Sequence, residues 1–69
     1  MNKKKLVYMI NQIANYFISY SEEKAIDATI NHIDQFWDKR MKKEIIDHAN
    51  NKGEGLNTIA LKAVQRLVI

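Results

Sequence analysis

Phe36-Trp37-Asp38-Lys39-Arg40-Met41 decides how this chain folds. The stretch sets the only tryptophan beside a second aromatic, then follows them with a carboxylate and a guanidinium. Asp38 is a good helix N-cap, because its side chain can accept from the exposed N–H of Arg40 or Met41. One helix should therefore end here and another begin. Adjacent aromatics cannot both point into one small core, so one of Phe36 and Trp37 packs inside and the other is free to anchor a surface contact. For Trp37 the two roles, core plug and interface, stand equal.

Working outward, the chain has no proline, two glycines and no alternating run of β-branched residues, which is an all-helical composition. Leu6, Ile10, Ile13 and Phe17 form one stripe, widened by Met9, Ala14 and Ile18, on a helix from about 4 to 20. Ser19 or Ser21 caps a second helix, about 22 to 37, whose stripe is Ile26, Ile30, Ile33 and Trp37 with Ala25 and Phe36 beside it. Glu22 and Glu23 suit its positive end. The third helix, about 39 to 52, presents Met41, Ile45, Ile46 and Ala49, and Gly53 is placed to take the left-handed conformation after it. Asn57 caps a fourth helix from about 58 to the end. The expected fold is all-α, a compact bundle of about four short helices in one domain, 1–69, with residues 1–4 frayed.

The fourth helix is apolar over most of its circumference: Ile59, Ala60, Leu61, Ala63, Val64, Leu67, Val68 and Ile69 leave only Lys62, Gln65 and Arg66 polar. Such a helix should be buried on more than one side. Three short helices are expected to cover one side, leaving the remainder for a second copy or a different protein.

A chain of 69 residues buries only about 60% of the surface it exposes unfolded. It has no cysteine, so neither a disulfide nor a thiolate site can staple it, and a cytoplasmic setting fits. Packing, self-association or a larger partner must supply the stability. No apolar run approaches the ~20 residues that cross a bilayer. Lys3 to Lys5 look like the start of a signal peptide, but Asn11, Gln12 and Asn15 interrupt the apolar stretch after them, so no targeting signal is expected.

Catalytic chemistry has little to build on. His32 and Asp34 point to different sides of a helix, and Glu44 with His48 gives two ligands from one helix, short of a metal site. His48 is expected to be solvated and His32 a partly buried polar contact. Lys39, Arg40, Lys42 and Lys43 form the best basic cluster, and a small helical nucleic-acid-binding or regulatory domain using Lys39 to Lys43 is the alternative. Glu44 and Asp47 on the same helix favour a solvated face instead. The net charge of +3 is mild and serves solubility. Asn11 and Gln12 lie in mid-helix, where amides lower stability unless partnered. Asn11, one step from the apolar stripe, is expected to bond backbone of a partner chain.

Three segments in order resemble the delta subunit of soluble NAD-dependent molybdenum formate dehydrogenases, over roughly residues 6 to 65. That family's pattern is Met-x-Asn-Gln-Ile, then His-(Leu or Ile)-x-x-Phe-Trp-x-Pro-Arg-Met, then Gly-Leu-Asp-Pro. Here stand Met9-Ile10-Asn11-Gln12-Ile13, then His32-Ile33-Asp34-Gln35-Phe36-Trp37-Asp38-Lys39-Arg40-Met41, then Gly55-Leu56-Asn57-Thr58. Lys39 and Thr58 replace prolines at first-turn positions where proline is favoured but not required. The resemblance implies a non-catalytic accessory subunit without a cofactor of its own. Its partner would be the catalytic subunit that carries the molybdenum bis-pterin and iron–sulfur clusters, whose assembly, cofactor maturation or stability it supports. Asn11, Gln12, His32, Phe36, Trp37, Arg40 and Met41 are the partner-binding candidates.

Overall fold

Each of the four helices opens on a side chain that accepts from a free backbone N–H of its own first turn. The structure, a computed structural model, describes residues 2–67. Asn2 Oδ1 takes Lys5 N–H at 2.9 Å and starts α1, Lys3–Tyr16. Ser21 Oγ takes Lys24 N–H at 3.4 Å and starts α2, Glu22–Phe36. Asp38 Oδ1 takes Met41 N–H at 2.9 Å for α3, Lys39–Asn50, and Asn57 Oδ1 takes Ala60 N–H at 2.8 Å for α4, Thr58–Gln65. Among the described residues there is no strand, so the fold is an all-α bundle.

The helical stripes meet in one core. Leu6, Ile10 and Ala14 from α1 pack with Ile33, Trp37, Ile45, Ala60, Val64 and Leu67. Ile13, Ile30, Met41, Ile46 and Ala49 close it as half-buried neighbours. Thr29 is the one buried polar side chain among the described residues, and its hydroxyl donates to the Ala25 carbonyl at 2.8 Å. That bond removes the penalty of burying an unpaired hydroxyl.

Two expectations change. α1 stops at Tyr16, not Tyr20, because Phe17, Ile18 and Tyr20 turn the chain through N–H bonds to Ala14, Asn15 and Phe17. It also begins at Lys3, with Lys3 Nζ 2.9 Å from Asp47, which places Lys3 and Lys4 within the helix. After α3, Gly53 takes the expected left-handed conformation (φ 63°), preceded by Lys52 at φ 86°, and donates its N–H to the His48 carbonyl at 3.0 Å. This is the six-to-one bond that satisfies an orphan helix carbonyl.

The fourth helix is largely covered within the chain, with Ile59 and Leu61 left half-buried. α4 packs against α1, α2 and α3 alike, with Ala60, Ala63 and Val64 fully buried. The expectation that three helices could cover only one side of it fails for a geometric reason. α4 is eight residues long, and small alanines let its neighbours come close on several sides. Val68 and Ile69, counted in the expected apolar circumference, lie outside the described residues. At its end, Lys62 Nζ meets Glu22 at 2.7 Å and Arg66 forks onto Glu23 at 2.9 and 3.0 Å. The basic end of α4 thus meets the acidic start of α2, an arrangement both helix dipoles favour.

A candidate protein-docking face

The stretch that ends α2 divides its residues between two sides. Ile33 and Trp37, four apart, point inward; Trp37 is 6% exposed and stands among the core residues. His32 and Phe36, also four apart, lie on the other side: His32 is half-buried, as expected, and Phe36 is 69% exposed. The two rings stack, with centroids 4.7 Å apart and planes tilted 41°. So the inside aromatic is Trp37 and the exposed one is Phe36. Met41 is half-buried against the core, while Arg40 is exposed at the start of α3.

His32 also lines a cleft of about 440 Å³ with Gln12, Ile13, Tyr16 and Phe17 of α1 and its following turn. Its wall is mostly apolar. Tyr16, 79% exposed, stands edge-on to Phe17 at 5.0 Å, and Phe17 leans on Tyr20 at 5.6 Å. Gln12 is held at the rim by donating from Nε2 to the Tyr8 hydroxyl at 2.8 Å. Tyr16 and Tyr20 escaped the reading of the sequence. The signal was there: three aromatics within five residues just past the last buried position of α1, where a core stripe has nothing further to cover.

Asn11 does another job. Its Nδ2 donates to the Gly55 carbonyl at 2.8 Å, and its Oδ1 accepts the Asn57 N–H at 3.0 Å. The backbone it grips here belongs to its own chain. His48 is likewise engaged: Nε2 lies 2.7 Å from the Glu54 carbonyl, pinning the α3–α4 loop where a solvated ring was expected.

The basic cluster is thinner than its sequence. Lys42, with its side chain 17% exposed, pairs with Asp34 at 3.0 Å. Lys39, Arg40 and Lys43 are exposed and have no ion pair among the described residues. They come after Phe36 within seven positions, on the first turns of α3 beyond the Trp37-Asp38 turn. No group of His, Cys, Asp and Glu able to hold a metal ion occurs among the described residues. Nor is any helix there long and apolar enough to cross a membrane.

Exposed aromatics, a shallow apolar cleft and unpaired cations are the chemistry of protein recognition. The family model described as NADH-dependant formate dehydrogenase delta subunit FdsD matches residues 5–64. No curated protein and no solved structure matches the chain.

Proposed function

The chain belongs to the NADH-dependent formate dehydrogenase delta-subunit family, and from that premise we propose that it is a non-catalytic accessory subunit, working at the surface of the catalytic subunit. There it supports assembly, cofactor maturation or stability of that subunit, and it holds no active site itself. The observation that carries the reading is the pair His32 and Phe36 beside the cleft. The Phe36 ring is exposed and the His32 ring is half-buried at the cleft wall, while their neighbours Ile33 and Trp37 build the core. A bundle that largely covers its own fourth helix does not need these aromatics for stability, and the exposure of Phe36 suits a docked subunit.

The test compares the dehydrogenase produced with and without this chain. Without it, we expect less molybdenum per catalytic subunit or faster thermal loss of formate-dependent NAD reduction, with turnover per molybdenum unchanged. Equal yield, equal molybdenum and equal thermal stability would remove the proposal. Formate oxidation by the isolated chain would remove its non-catalytic half.

A further inference from the structure

Resting on that accessory reading, we infer that the face formed by the cleft, Phe36 and the start of α3 docks an acidic segment of the catalytic subunit. That segment offers an apolar side chain to the cleft and carboxylates to Lys39, Arg40 and Lys43. Charge placement carries the inference. Every ion pair among the described residues joins Lys3, Lys42, Lys62 or Arg66 to an acid from a different helix. Lys4, Lys5, Lys24 and Lys52 are exposed without an ion pair among the described residues, as are Lys39, Arg40 and Lys43. Those last three are the largest such group within five positions, on the first two turns of one helix directly after the exposed Phe36. The nearby Asp38 is committed to capping α3 through Met41 N–H. No acid among the described residues pairs with these three, so their charge is free to meet an acidic partner.

The apolar half narrows the occupant further. Ile13, Tyr16 and Phe17 with the His32 ring make a recess for an aliphatic or aromatic side chain. Arg40 adds a planar fork that can hold a carboxylate through two bonds. A second copy of this chain fits badly. A two-fold contact through this face would bring two copies of the same basic patch together. Nucleic acid fits less well than an acidic peptide, because Lys42 and Lys3 are held by Asp34 and Asp47 and Glu44 stands on the same helix as the free cations.

The test uses the assembled dehydrogenase and the full chain. A benzoylphenylalanine photo-crosslinker is placed at Phe36, and in a second preparation at Asn50. Asn50 is exposed at the far end of α3, about 16 Å along the helix from Lys39. We expect crosslinking to the catalytic subunit from position 36 and little from position 50, with the captured peptide carrying Asp or Glu beside an apolar residue. Phe36→Ser and Arg40→Glu, each checked for unchanged helicity, should weaken binding to the purified catalytic subunit at least tenfold. Raising the salt should weaken the parent chain and matter less for Arg40→Glu. If the parent chain binds but neither variant changes its affinity, or if crosslinks form from position 50 or to a basic peptide, this docking face is wrong and the accessory reading stands. If the parent chain fails to bind the catalytic subunit at all, the accessory reading falls and the inference with it. Salt-sensitive binding to duplex DNA that Arg40→Glu abolishes, with no protein crosslink, would also overturn it.

Discussion

Asn11 and Asn57 grip each other across the bundle. The Asn57 N–H donates to Asn11 Oδ1 at 3.0 Å and the Asn57 amide donates to the Asn11 carbonyl at 3.4 Å. Asn57 simultaneously caps α4 through Ala60 N–H, and Asn11 holds the Gly55 carbonyl. One side chain in the middle of α1 therefore fixes the turn from which α4 departs, 46 positions later.

Asn11→Ala should destabilise the fold by about 1–2 kcal/mol, since it strands a partly buried N–H and a carbonyl together. Asn11→Asp keeps the acceptor for Asn57 but sets a carboxylate against the Gly55 carbonyl, so it should not restore stability. Urea unfolding of the three proteins reads both effects. A loss below about 0.5 kcal/mol for Asn11→Ala, within the range of neutral surface changes, would show that the turn holds without it.

This link also marks what was legible in the sequence. The four helices were, because Ser21, Asp38 and Asn57 each precede an apolar stripe of helical period and each caps as its residue type demands. The end of α1 was not, since Phe17 and Ile18 continue the stripe and no glycine or proline stops it; the chain simply turns after its last buried residue. Periodicity likewise could not say that α4 is surrounded, because a helix buried by three neighbours of its own chain has the same composition as one awaiting a partner. At the face, Phe36 and Trp37 were separable in principle but not in direction. Only the packing of Ile33 and Trp37 together decides which ring goes in.

Asp38 acts as a cap and its charge is incidental. Asp38→Asn should be nearly neutral, because the amide oxygen can still accept Met41 N–H, whereas Asp38→Ala should lose about 1 kcal/mol. Equal large losses for both, measured by thermal melting, would mean that the carboxylate charge itself matters.

The loop after α3 stores backbone strain at Lys52. A non-glycine residue at φ 86° sits in the left-handed region, so Lys52→Gly should stabilise by up to about 1 kcal/mol, the relief exceeding the entropy that glycine adds to the unfolded chain. Gly53→Ala should do the reverse. Its φ is +63°, and the new methyl would stand 3.0 Å from Leu61 Cδ1. Chemical denaturation showing Lys52→Gly less stable than its parent would remove the strain argument.

Acid should loosen the tie between α2 and α4. The Arg66 hydrogen bond, and then its positive charge, hold the Glu23 carboxyl below its ordinary range. A depressed carboxyl stabilises the fold above its unfolded pKa, and that contribution is lost as pH falls through the folded pKa. The parent should exceed Glu23→Gln in stability at neutral pH, and the two should converge in acid below the usual carboxylate range. Because the pair is solvent-exposed, the gap should be small and shrink further in high salt. A gap that widens on acidification would contradict the pairing.

Phe36 and Trp37 provide the sharpest test of the division between core and surface, because neighbouring aromatics should respond in opposite ways. Trp37 is buried against residues of the shared core, and its removal leaves a cavity that so small a bundle cannot collapse around. Trp37→Ala should cost about 3–5 kcal/mol, close to the whole stability expected of a domain this size, and leave a chain with weak helical circular dichroism. Phe36→Ser removes a ring that touches little beyond His32, so its melting curve should lie within about 0.5 kcal/mol of the parent's. Trp37→Phe keeps most of the volume and should fall between the two, which guards against reading a general aromatic effect into the first variant. If Phe36→Ser melted as early as Trp37→Ala, the ring would be part of the core after all. The His32–Phe36 pair on α2 would then have a structural role, and the docking face would lose its anchor.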